Sequence, residues 1–109
     1  MDKRLQQALD FSQYMTTINN QKRLLQEKFL ESTLFFYNGG KFTITPELLT
    51  YTSTSKLDII LDDNLLPVEI DMQDFYSKIK IVYEEALLDY NQEYKKIKAK
   101  RSVEKILND

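Results

Sequence analysis

Residues 37–47, Tyr37-Asn38-Gly39-Gly40-Lys41-Phe42-Thr43-Ile44-Thr45-Pro46-Glu47, hold the change of periodicity on which the fold turns. Asn38, Gly39 and Gly40 tolerate positive φ and stop the apolar spacing that precedes them, as a glycine cap does at a helix end. Lys41 to Thr45 then alternates polar and apolar side chains and is rich in β-formers, which predicts a short strand with Phe42 and Ile44 facing inward. Thr45-Pro46-Glu47 follows with an N-cap, a proline at the first helical position and an acid in the first turn. A short helix carrying Leu48, Leu49 and Tyr51 is expected, with Thr50 to Ser55 as a polar loop.

Upstream, residues 2–37 contain no Gly or Pro, and apolar side chains recur at Leu5, Ala8, Phe11, Met15, Ile18, Leu25, Phe29 and Phe36. This spacing predicts one long amphipathic helix over residues 2–37. Lys22 takes the inward slot between Ile18 and Leu25, so a bend or a hydrated patch is expected there. Downstream, Leu57-Asp58-Ile59-Ile60-Leu61 and Leu66-Pro67-Val68-Glu69-Ile70 flank the turn residues Asp62-Asp63-Asn64 and predict a hairpin, with Pro67 on an edge. Residues 41–70 thus form a small antiparallel β-meander with one short helix. Asp71 is an N-cap for a second long helix over 72–100, with Phe75, Ile79, Val82, Ala86, Tyr90, Tyr94 and Ile97 along one face; Ser102 caps a last turn over 102–107.

The class is therefore α+β, a single domain over residues 1–109. Two long antiparallel amphipathic helices make a helical hairpin, and the β-meander is inserted between them. At 1.5 Å per residue each long helix would measure about 40 to 55 Å, beyond the roughly 30 Å expected for a compact domain of this size. Its core cannot cover both helices along their length.

Composition removes much chemistry. Among 109 residues there is no Cys and no His, and only two Gly, which are adjacent. Thiolate and imidazole metal sites, Cys or Ser/His nucleophiles, phosphate-binding glycine loops and dinucleotide fingerprints cannot be written here. No enzymatic activity and no cofactor or metal is expected. No apolar run reaches the roughly 20 residues of a membrane span, and the N-terminus lacks a signal-peptide core, so a cytosolic protein without membrane contact is expected. Net charge is −2, but residues 1–94 carry −6 and residues 95–109 carry +4, a basic tip on an acidic body.

Three groups are candidate sites. Asp58, Asp62, Asp63, Asn64, Glu69, Asp71 and Asp74 are dense in oxygen ligands but lack the glycine and terminal Glu of a calcium loop, and turn and cap chemistry account for them. Lys95, Lys96, Lys98, Lys100 and Arg101 could track nucleic-acid phosphates, although cations also complement a helix C-terminus. Of thirteen aromatic residues, Tyr76, Tyr83, Tyr90 and Tyr94 descend the second helix among Glu84, Glu85, Asp89 and Glu93, which favours core or protein interface over base stacking. Leu24, Leu30 and Leu34 on the first helix, and Tyr76, Tyr83 and Leu87 on the second, exceed what a partner helix covers, so they are the expected interface.

Leu25-Gln-Glu-Lys-Phe29, Phe36-Tyr-Asn-Gly-Gly-Lys-Phe42, Asp62-Asp-Asn-Leu-Leu-Pro-Val68 and Arg101-Ser-Val-Glu-Lys-Ile106 together resemble small proteins of large tailed bacteriophages of the T-even type, notably marine ones. The resemblance implies a viral origin and the host cytoplasm or the virion as location, and it brings no catalytic residues. The functional expectation is a non-enzymatic interaction or assembly protein that binds itself, a dimer being the simplest form, and an unidentified protein partner. The alternative is a nucleic-acid accessory protein using the basic C-terminal helix.

Overall fold

A computed structural model describes residues 3–108, and side chains for residues 3–100. The chain is α+β. Its elements run α1 (Lys3–Ser32), β1 (Leu34–Tyr37), β2 (Gly40–Thr43), α2 (Pro46–Thr54), β3 (Ile59–Leu61), β4 (Pro67–Glu69) and α3 (Met72–Asn108). The long helices α1 and α3 form a helical hairpin. The strands make two separate antiparallel pairs, β1–β2 and β3–β4, rather than one meander.

The first helix ends five residues earlier than its apolar spacing suggests. Thr33 turns the chain: its N–H donates to the Phe29 and Leu30 carbonyls and its hydroxyl donates to the Leu30 carbonyl at 2.7 Å. Residues 34–37 then form β1, paired with β2 from Leu34↔Thr43 to Tyr37↔Gly40. Asn38 and Gly39, both at positive φ (48° and 82°), are the central residues of a two-residue hairpin turn and not a helix cap; paired positive φ values match the right-handed twist of the strands they join. In β1 the aromatic run obeys a period of two, with Phe35 and Tyr37 half-buried and Leu34 and Phe36 exposed. The C-terminal expectation also changes. No Gly or Pro interrupts residues 100–108, and α3 continues as one helix to Asn108 without a separate turn at Ser102.

The other signals act as read. Thr45 caps α2 by accepting from the Leu48 N–H, with Pro46 at the first turn, although α2 extends through most of the expected loop, to Thr54. Asp71 caps α3, its Oδ1 accepting from the Gln73 and Asp74 N–H groups. The two hairpins are tied together by the Asp63 N–H donating to the Lys41 carbonyl at 2.9 Å and by Asn38 Nδ2 donating to the Glu69 carbonyl at 2.8 Å.

The chain divides into two compact units, residues 29–89 and residues 1–28 with 90–109. The first holds the main core: Phe42, Ile44, Ile60, Val68, Ile70, Met72, Phe75 and Ile79, flanked by Phe35, Tyr37, Leu48, Leu49, Val82 and Tyr83. Gly40 sits where a Cβ would come within 2.8 Å of Val68 Cγ2, so the close approach of β2 to β4 requires glycine. In the second unit Ile18 is buried, while Lys22 and Gln21 are half-buried. Leu5 and Phe11, expected on the inward face, are exposed there, Phe11 by 65%.

Candidate functional site

One polar cluster in the main unit joins β1 to α3. Tyr37 donates its hydroxyl to Asp74 Oδ2 at 2.8 Å, Lys78 Nζ lies 3.0 Å from the same oxygen, and the Lys78 ammonium stands 5.5 Å from the Tyr37 ring centroid. The Tyr37 hydrogen bond, seconded by Lys78, holds the Asp74 carboxyl below its ordinary value. The Tyr37 phenol is raised, first by that hydrogen bond and then by burial, and Lys78 is raised by Asp74. Each group is thus fixed in the protonation state it has at neutral pH, which is the opposite of what an acid–base or nucleophilic role needs. The cluster is a clamp.

Its signature is in pH dependence. The lowered Asp74 contributes stability above its ordinary value of 3.8 that is lost as pH falls through the lowered one. The raised Tyr37 and Lys78 contribute below their ordinary 10.0 and 10.5, and that part is lost as pH rises through the raised values. Asp74→Asn should flatten both limbs in thermal melts taken from about pH 3 to about pH 11. A variant profile parallel to wild type at both ends would refute the clamp.

The acidic residues around β3 and β4 act as caps and turn acceptors. Asp62 Oδ1 accepts from the Asn64 and Leu66 N–H groups, Asp63 accepts from the Thr43 N–H and hydroxyl, and Asp58 Oδ1 accepts from the Met72 N–H. No group of three or more acidic side chains gathers around a metal-sized point among the described residues.

The six apolar candidates do not form one surface. At 100° per residue Leu24 and Leu30 lie about 120° apart around α1, one on each flank of the inward stripe, and Leu34 belongs to β1. Tyr76, Tyr83 and Leu87, spaced by seven and four residues, do share a stripe of α3. Tyr83 is half-buried within the chain, packing on the core and edge-on to Phe29 at 6.0 Å. Tyr76 is half-buried, and Leu24, Leu30 and Leu87 are exposed.

Sequence reasoning missed a second apolar surface. Ile60 and Val68 point into the core, which turns Ile59, Leu61, Pro67 and Glu69 to the outer face of the β3–β4 hairpin. Leu57, Leu65 and Leu66 are also exposed. Two consecutive leucines in a polar turn were the available signal.

Lys95, Lys96, Lys98 and Lys100 are exposed, but they spread over about 200° of helix circumference, and Lys96 pairs with Glu93 at 3.1 Å. The Arg101 side chain lies outside the described residues. Charge follows the two units closely. Residues 29–89 hold 4 Lys/Arg against 11 Asp/Glu, net −7, whereas residues 1–28 and 90–109 hold 11 against 6, net +5. This basic unit contains a cavity of about 270 Å³ lined by Asp10, Gln13, Tyr14, Thr17, Gln21 and Lys100 among others. Gln21 Oε1 is buried there without a partner among the described residues, so the cavity suits water better than an apolar ligand. No helix among the described residues is long and apolar enough to cross a membrane.

No protein-family model, curated protein or solved structure matches this chain.

Proposed function

We propose that the chain is a non-enzymatic, self-associating interaction or assembly protein of a tailed phage, working in the host cytoplasm. The observation that carries the reading is the amount of large apolar side chain left in water by so small a fold. Leu5, Leu9, Phe11, Leu24, Leu30, Ile81, Leu87 and Leu88 are exposed on the two long helices alone. Scattered apolar residues are ordinary on a monomer, but this density marks an interface. Burial of each such side chain is worth about 1.5 to 3 kcal/mol, enough for a few of them to hold a dimer together.

The opposite charges of the two units support association between copies, which orients subunits and speeds encounter. They favour this reading over phosphate tracking, because the lysines of α3 are wrapped around the helix and not aligned on one side. Light scattering at micromolar concentration should return a mass above the 13.0 kDa of one chain, and the mass should fall as salt rises. Leu87→Asp should lower it further without loss of helical circular dichroism. A wild-type mass of one chain at low salt would end the proposal.

A further inference from the structure

The β3–β4 loop has an internal conflict. Asp62 N–H donates to the Leu66 carbonyl at 2.9 Å and Leu65 N–H donates to the Asp62 carbonyl at 3.0 Å. This is the pattern of a tight turn over Asp63 and Asn64 followed by one residue in the left-handed region, a place ordinarily filled by Gly or Asn. Here it is Leu65, with φ of 62°, and its side chain is 76% exposed. A leucine in this conformation is strained, because its Cβ crowds the following carbonyl. Burial within the chain does not offset that strain, since most of the side chain is in water.

Leu65 stands at the tip of a hairpin whose outer face carries Ile59, Leu61 and Pro67, with Leu66 beside it and Leu57 preceding β3. Asp58, Asp63, Glu69 and Asp71 are set into the same segments, and Lys56 is the only cation between residues 42 and 77. The face is apolar at its centre and acidic at its border. Its complement is a cationic helical unit with exposed apolar side chains: the basic unit exposes Leu5, Leu9 and Phe11 on α1 and Tyr94 on α3, and Lys95, Lys96 and Lys100 lie on more than one side of α3, so a docked acidic border meets lysines whichever side it approaches.

We infer that the outer face of the β3–β4 hairpin, with Leu65 at its tip, docks on the basic helical unit of a second copy of this chain. The inference rests on the self-association proposed above and adds to it a contact separate from the Leu87 flank of α3. Leu65 inserts as an anchor, the acidic border meets the lysines, and strain at Leu65 is the local cost of presenting that anchor.

The test uses full-length protein in sedimentation or light scattering across a concentration series, with thermal melts alongside. Leu65→Gly should weaken association at least about tenfold while leaving the melting temperature of the dissociated chain unchanged or raised, because glycine relieves the strain. Leu61→Ser, on the exposed face of β3, should weaken it in the same direction. Glu69→Lys alone and Lys95→Glu with Lys96→Glu alone should each weaken association, and mixing the two variants should restore it, since the reversed charges then face each other. If wild type associates and Leu65→Gly and Leu61→Ser leave the affinity unchanged, the docking face is wrong and self-association stands. A lower melting temperature for Leu65→Gly would make Leu65 a structural residue and overturn the inference, as would failure of the mixed charge variants to recover. A wild type that stays at one chain mass overturns this inference together with the proposed function.

Discussion

Phe75→Ala is expected to destabilise the fold by about 3 to 5 kcal/mol, the range for removing a large buried aromatic side chain. Phe75 is wholly buried, and it is the point where three elements meet. Its ring lies 4.9 Å from the Phe42 ring of β2, 5.3 Å from Tyr37 and 6.0 Å from Phe35 of β1, all in edge-to-face contact. Alanine would leave a void faced by three rings held by the hairpin register, so little collapse can fill it. Domains of this size are stable by only about 5 to 15 kcal/mol, so much of the stability should vanish, and chemical denaturation should show an early midpoint. Phe36→Ala is the control. Phe36 alternates with these rings on β1 but is 71% exposed, so the change should stay within about 0.5 kcal/mol. Equal effects at the two positions would refute the account of the core.

The contrast between Phe35 and Phe36 also shows why part of the fold was hidden in the sequence. A run of Leu34-Phe35-Phe36-Tyr37 satisfies both a helical and an alternating pattern over so short a length, and the preceding long apolar spacing pulled it into the helix. The strand won because Asn38 and Gly39 can both take positive φ, which closes β1 onto β2. Where local chemistry left one choice, the reading was right: Thr45-Pro46-Glu47 starts α2, Asp71 starts α3, and Asp62 to Asn64 turns the second hairpin. The candidate surface was harder. Helical spacing alone finds an apolar flank such as Tyr76, Tyr83 and Leu87, but it cannot say that Phe29 covers Tyr83 from another helix. Nor can it say which face of a three-residue strand is outward. Ile59, Ile60 and Leu61 are nearly equal in hydropathy, and only the packing of Ile60 beside Val68 in the core decides that Ile59 and Leu61 meet water.

The turn that carries Leu65 depends on a single buried carboxylate, which gives the second large effect. Asp62→Ala should destabilise the fold by about 1.5 to 3 kcal/mol, the range for hydrogen bonds to a charged group. The carboxylate of Asp62 is an acceptor for two backbone N–H groups at once, Asn64 at 2.9 Å and Leu66 at 3.0 Å, and the residue is 8% exposed. Alanine keeps the backbone path but offers no acceptor, so both donors lose their partner in a loop already holding Leu65 in the left-handed region. The melting temperature should fall by about 5 to 15 °C. Asp62→Asn keeps one side-chain oxygen and should recover part of that loss. Magnesium, calcium or manganese should leave the wild-type melting temperature unchanged, because both Asp63 oxygens and the Oδ1 atoms of Asp62 and Asp58 accept from backbone and hydroxyl donors of the chain itself, and no three acids converge among the described residues. A cation bound at 100 times its dissociation constant would add about 2.7 kcal/mol. A rise of several degrees with one cation, abolished in Asp62→Ala, would make this loop a metal site; no rise, with Asp62→Ala destabilised and Asp62→Asn intermediate, would establish the carboxylate as the internal brace that holds Leu65 outward.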